Sequence, residues 1–278
     1  MRVQRIDLYS NDLEVARFDT VGSNRRNPYV LRSVAGLDPG QITPRFYGQG
    51  IETGINFTEL ALDPREVVLR IGLQPKWTLG NTPADLRDNL LGAIASNRSG
   101  LIQIRIYENE VVIGLLEGFV IRFEDSISSK EPEVTITIKC EDPIIRSMDV
   151  TSQILDGLST SEPLLIDPVS TAPHGFKFKL TFTADTVTPF VITDQVSEWD
   201  WVFQINYSFL TGDELYFSSE YNDKYLYRVR SAVTLHLVDV VEPGSIWPII
   251  FRGENQMYIV SLGHEWDEVY WREAHWGI

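Results

Sequence analysis

The sequence predicts a mainly β fold of two β-sandwich-type domains, residues 1–148 and 149–278, with one α-helix packed on a sheet in the first. Three observations carry this reading. Apolar and polar residues alternate over most of the chain, the period of a strand with one buried face. One segment breaks that period and carries helix start signals. Charge divides the chain near its middle: residues 1–148 hold 17 Lys and Arg against 20 Asp and Glu, and residues 149–278 hold 7 against 19. A length of 278 residues suits two such domains.

The alternation is clearest where Val67, Leu69, Ile71 and Leu73, then Ile102, Ile104 and Ile106, then Val134, Ile136, Ile138 and Cys140 recur at every second position. Phe176, Phe178, Leu180 and Phe182 do the same in the second half. Runs rich in β-branched and aromatic residues at 3–9, 111–123, 199–209, 215–217, 225–229, 233–240 and 257–262 are further strands. The helix begins at Thr82, an N-cap, with Pro83 at the first helical position and Asp85 in capping-box spacing. Leu86, Leu90 and Ile94 then form a narrow apolar stripe that fits across a sheet, and residues 97–100 stop the helix. Residues 36–54, with Pro39, Pro44 and five glycines, form an extended loop or long hairpin. Residues 149–173, rich in Ser, Thr, Asp and Pro, read as an irregular linker at the charge shift.

A net charge of -15 opposes contact with nucleic acid phosphates or an anionic membrane. The lone Cys140 has no internal disulfide partner and belongs to a core face. Acids among the first residues leave no apolar centre for a secretory signal, and no apolar run approaches spanning length, so a soluble chain without membrane insertion is expected.

No catalytic, cofactor or metal residue emerges. His264, Glu265, Asp267 and Glu268, with His275 beyond, are metal-ligand types without zincin spacing. On a strand, His264, Trp266 and Glu268 would share one face and Glu265 with Asp267 the other, as at a solvated sheet edge. Carboxylate pairs such as Asp194 with Glu198, or Asp213 with Glu214, arise by chance in an acidic chain, and no spacing selects one for glycoside hydrolysis. Gly48, Gly50 and Gly54 lack a P-loop lysine and read as turn glycines. Trp199, Trp201, Trp247, Trp266, Trp271 and Trp276 fit a core or an interface; a stacking platform for sugar rings is the alternative.

The order of elements in the first half resembles the N-terminal domain of the distal tail proteins of long, flexible-tailed (siphovirus-type) bacteriophages. The residues concerned are Leu37-Asp38-Pro39-Gly40, a strand from Glu66 to Leu73 leading to Lys76-Trp77, the helix at Leu86-Arg87-Asp88-Asn89-Leu90, paired strands at 101–107 and 111–123, and a closing strand into Glu141-Asp142-Pro143. In the second half Phe176 to Phe182, Gly212-Asp213-Glu214, Ser245-Ile246-Trp247-Pro248 and Gly253-Glu254-Asn255 resemble that family's galectin-like, carbohydrate-binding-module-like sandwich. Residues 149–173 and 269–278 match no family motif.

The resemblance implies a non-enzymatic virion protein at the distal end of the tail, made in the bacterial host cytoplasm. Its tail-tube-like N-terminal domains would form a hexameric ring and its C-terminal domains would project outward. The partners implied are further copies of itself, the tail tube protein, a tail fibre or tip hub protein and the tape measure protein, around a channel for DNA. A host glycan bound by the C-terminal sandwich is the alternative function. An acidic chain suits a channel that must not hold DNA, and residues 36–54 are long enough to reach a neighbouring subunit in a head-to-tail ring.

Overall fold

The computed structural model describes residues 3–10, 13–20, 27–38, 42–48, 55–75, 81–95, 101–128, 130–159, 163–186, 188–194, 202–220, 223–259 and 263–277. These form two compact units, Met1–Met148 with Trp276–Ile278, and Asp149–His275.

The first unit runs β1 (Arg5–Ser10), β2 (Leu13–Thr20), β3 (Tyr29–Ala35), β4 (Ile42–Gly48), β5 (Ile55–Leu62), β6 (Arg65–Leu73), α1 (Pro83–Ala95), β7 (Ile102–Glu108), β8 (Val111–Asp125) and β9 (Glu133–Cys140), then the start of β10 (Ile145–Ser159). Strands β8, β7, β1, β2, β3, β6 and β9 pair in that order, and β9 pairs back with β8. The result is a closed barrel, antiparallel except at β2 and β3. Two facing sheets were expected here, and the difference lies in β8. Its first half pairs with β7 and its second with β9, so one 15-residue strand joins both ends of the sheet. Closure removes the free edges that a sandwich leaves. At the handover stands Gly118, where a Cβ would lie 2.5 Å from the Lys139 carbonyl oxygen and 2.9 Å from the Cys140 Sγ.

The alternating residues line the barrel: Val67, Leu69, Ile71, Ile104, Ile106, Val134, Ile136, Ile138 and Cys140 are all fully buried. Burial in this apolar lining pushes the Cys140 thiol up to about 12, so it is a packing residue. Helix α1 forms as its sequence predicts. The Asp85 carboxylate accepts from the Thr82 N–H (2.8 Å) and hydroxyl (2.7 Å), and the Asp85 N–H donates back to Thr82 Oγ1 (3.2 Å). Leu86, Leu90 and Ile94 enter the same core, and the Tyr29 hydroxyl ties the Leu86 carbonyl at 3.0 Å. The stop at 97–100 lies outside the described residues.

The second unit contains the rest of β10, then β11 (Leu164–Ile166), β12 (Lys177–Phe182), β13 (Phe190–Asp194), β14 (Val202–Ile205), β15 (Glu214–Ser218), β16 (Tyr225–Arg230), β17 (Val233–His236), β18 (Asn255–Ile259) and β19 (His264–His275). One sheet has the order β11-β18-β13-β14; in the other, β17, β16, β15, β12 and β19 follow each other. Their inward side chains belong to one core, in which Phe178 stacks on Phe217 (4.6 Å) and Phe182 on Phe209 (4.2 Å). The turn before β15 is fixed by buried Asp213, which accepts from the Leu210 N–H (2.9 Å) and from both ends of the Arg230 guanidinium (2.5 and 2.6 Å).

Several expected boundaries move. Residues 149–173 are not an irregular linker: β10 covers 145–159 and β11 follows. The alternation is hidden there because Met148, Val150 and Ile154 are exposed and apolar while Thr151 opposite them is exposed too. Strand β14 stops at Ile205, and 233–240 divides into β17 and a 3-10 turn, Val238–Val240.

Candidate assembly surface

Three strands of the barrel turn a shared outer face to solvent. Across β6, β9 and β8 the register sets Glu66, Lys139 and Phe119 in one row, Val68, Thr137 and Arg122 in the next, and Arg70, Thr135 and Glu124 in the third. In the lower two rows the middle strand carries short threonines while longer chains stand on both sides. A groove follows from that difference in height; it holds about 360 Å³, with Ile121 on its rim. Ile121 stands there because a bulge between Val120 and Arg122 breaks the β8 register. Ile121 is 52% exposed and Phe119 44%, an apolar pair beside two acids and two arginines. Balanced charge around exposed apolar groups suits a protein partner more than a polyanion.

The second element is the hairpin of β4 and β5, in register from Ile42 with Leu62 to Gly48 with Ile55. Among the described residues its strands pair only with each other. The expected loop or long hairpin is therefore a hairpin, with its tip, including Gly50 and Gly54, outside the described residues. Its base is clamped. Gly36 takes a φ of 87°, and a Cβ there would sit 1.9 Å from the Glu66 carbonyl oxygen. Buried Arg65 donates from Nη1 to the Gly36 carbonyl at 3.0 Å and from Nη2 to the Trp276 carbonyl at 2.5 Å. Burial holds this guanidinium below its ordinary value.

The sequence candidates separate. Asp213 is bound by Arg230, while Glu214 pairs with Lys179 (2.6 Å) and accepts from the Tyr216 hydroxyl (3.1 Å). Both carboxyls are held below their ordinary range: for Asp213 burial opposes this and the Arg230 hydrogen bonds prevail; for Glu214 the Lys179 hydrogen bond dominates. Two carboxylates each locked to a cation do not form an acid and base pair. Glu198 lies outside the described residues, as does the Asp194 side chain.

The strand with His264 is not a solvated edge. His264 and Trp266 are buried, against Phe190 and each other. Opposite β12, Lys179 pairs with Glu268 and Leu180 with Trp266, so Asp267 is bulged out and the face changes. Glu268 thus leaves the face of His264, and the buried positions continue at Val269 and Trp271. Among the described residues no three His, Cys, Asp or Glu side chains converge as metal ligands. Trp266 and Trp271 are core, and Trp247 stacks on Phe217 at 5.4 Å; Trp199 and Trp201 lie outside the described residues. No described helix is long and apolar enough to cross a membrane.

With this architecture in view, comparison with known proteins is informative at the level of fold. No family model and no curated protein sequence matches the chain. Among solved structures it is similar to the Dit protein of phage SPP1, described as a paradigm of the hub adsorption apparatus in phages infecting Gram-positive bacteria. The TM-score is 0.64 at 11% identity, over 97% of this chain and 98% of that one. The chain has the fold of that Dit protein. Baseplate structures of phage p2 in its activated conformation, with Sr and with Ca, give TM-scores of 0.43 and 0.46 at 10% identity over 97% and 98% of this chain and 98% of each of theirs.

The groove was not among the sequence candidates. Its residues come from three strands that are not consecutive, and the signal available, an apolar run at 111–123 too long for one buried face, gives no partner strand.

Proposed function

We propose that this chain is a structural adaptor of a phage tail tip, a distal tail hub protein without enzymatic activity. The observation that carries the reading is the likeness to the SPP1 Dit protein over nearly the full length of both chains. In this reading residues 1–148 form a tail-tube-like ring domain and residues 149–278 a galectin-like sandwich directed outward. Six copies close a head-to-tail ring at the distal end of the virion tail. The tube protein lies above it and the fibre or tip hub protein below, with the tape measure protein and DNA passing through the channel. A heterologous ring needs two different complementary surfaces on each subunit. The groove across β6, β9 and β8 supplies one, and the clamped hairpin of β4 and β5, unpaired in its own sheet, supplies an arm of the other kind.

The test is negative-stain imaging and native mass measurement of the full chain across concentrations, alone and with Phe119→Ser and Ile121→Asp together. Six-membered rings are expected from the wild-type chain and monomers from the variant. Both residues are exposed, so the variant's melting curve should match wild type. A wild-type chain that is monomeric throughout, or a variant that still closes rings, overturns the assignment.

A further inference from the structure

The second unit carries a surface that the hub reading does not use. Across β17, β16, β15, β12 and β19 the register aligns His236, Tyr227, Tyr216, Lys179 and Glu268 in a single cross-strand row. Residues alternate along each strand, so this row lies on the face opposite Phe178, Leu180, Leu215 and Phe217, which fill the core. Tyr216 and Tyr227 stack at 4.9 Å with 12° between their planes, and His236 meets Tyr227 edge-on at 6.1 Å. Lys179 is held over Tyr216 by Glu214 (2.6 Å) and Asp267 (3.6 Å). The middle of the row is therefore held by contacts within the protein, which lowers the ordering cost of a ligand.

Its remaining members are not satisfied internally. His236, the Tyr227 hydroxyl and Glu268 make no hydrogen bond or ion pair to any described residue. The row thus offers stacked aromatic surface with hydrogen-bonding groups at both ends and no aliphatic member, an amphipathic make-up that suits a hydroxyl-rich ligand. Neighbouring strands lie about 4.8 Å apart, so five strands present side chains at close to the repeat of one pyranose along a glycan. Charge then selects among glycans. The two lysines of this face are neutralised, Lys179 by Glu214 and Asp267 and Lys177 by Glu220 (3.0 Å) and Asp223. Glu268 remains uncompensated on a half-chain with 19 acids against 7 bases. Phosphate- or carboxylate-bearing polymers are repelled from such a surface.

We propose that this tyrosine row is a binding face for an uncharged polysaccharide chain laid across the strands. The proposal goes beyond the ring reading, and the two fail separately, because these residues lie outside the groove and the hairpin. The test is saturation-transfer-difference NMR and calorimetry on the full chain. Probes are maltohexaose, cellohexaose, laminarihexaose and chitohexaose, with poly(glycerol phosphate) as the anionic arm. At least one neutral hexasaccharide should bind, and Tyr227→Ala should weaken it about tenfold or more, a loss of about 1.4 kcal/mol. Tyr227→Phe, which keeps the stack, and Glu268→Gln, which keeps the shape, guard against misfolding and should each weaken binding severalfold with unchanged melting. Ring images of the same variants should match wild type. The proposal is overturned if no neutral hexasaccharide binds at millimolar concentration, if all three variants bind as wild type does, or if poly(glycerol phosphate) alone binds.

Discussion

Asp7 makes the stability of the barrel depend on pH in a direction opposite to that of most carboxylates. It alternates with the core residues Ile6 and Leu8 of β1 yet is only 1% exposed; it pairs with Arg5 (3.1 Å) and is flanked in register by Arg17 in β2 and Arg105 in β7. Burial pushes its carboxyl up to about 6, more than attraction to Arg5 and Arg17 lowers it, with Glu14 adding to the rise. A folded-state value above the ordinary 3.8 means that the folded chain holds this proton longer than the unfolded chain does. The associated stability is fully present below about pH 3.8 and is lost as pH rises through about 6. At 1.36 kcal/mol per unit this amounts to up to about 3 kcal/mol. Asp7→Asn keeps the shape and removes the titration. The assay is urea unfolding between pH 4 and 7, read by hydrogen-exchange mass spectrometry on peptides covering β1, because two units need not unfold together. The stability of wild type minus that of the variant should fall by up to about 3 kcal/mol between pH 4 and 6.5 and stay level above. A flat difference, or one that rises with pH, would refute the reasoning and show that Arg5 and Arg17 keep Asp7 ionised.

Leu90→Asp places a carboxylate in the barrel core, where Leu90 is 2% exposed; with no cation to pair, the cost should exceed about 4 kcal/mol and unfold the first unit, and a melting curve like wild type would refute the helix packing. Gly118→Ala drives a methyl into the Lys139 carbonyl and should cost about 1–3 kcal/mol in chemical denaturation, with Gly118→Val worse. Arg65→Met removes both donors at the base of the hairpin. A loss of about 3 kcal/mol, or a melting point about 10 °C lower for the first unit, should accompany protease cleavage between residues 36 and 65; unchanged cleavage would count against the clamp.

Where one strand face is wholly buried, the sequence is a direct record of the fold. Val134, Ile136, Ile138 and Cys140 are all fully buried, so selection for burial leaves an unbroken period of two. Thr82 and Asp85 are as legible, because a capping box is satisfied within four residues. Barrel closure is not, since the switch of β8 from β7 to β9 is a property of pairings far apart in sequence. Bulges mislead for a related reason. The one at Asp267 shifts the phase of β19, so Glu268 lands on the opposite face from the one its spacing from His264 predicts. The groove and the tyrosine row share this illegibility: three strands build one and five the other, none contributing more than four of its residues. The tryptophans read as core or interface include Trp266 and Trp271, which do fill the core, while tyrosine keeps a polar end for the surface.

The acidity of the chain acquires a more specific meaning from where its acids sit. On the barrel groove Glu66 and Glu124 stand against Arg70 and Arg122, so the surface has little net field, and Phe119 and Ile121 are its exposed apolar groups. If the groove closes the proposed ring, it gains from this, because copies with a net charge of -15 repel one another at long range and an added anionic field at the contact would oppose closure. In the second unit the lysines of the tyrosine face are each held by two carboxylates. That arrangement leaves neither of these two lysines free for a phosphate polymer. The same charge imbalance that opposes contact with nucleic acid would therefore also narrow the sugars that the proposed face can accept, and it would do so without placing a repulsive charge at the surface proposed for self-association.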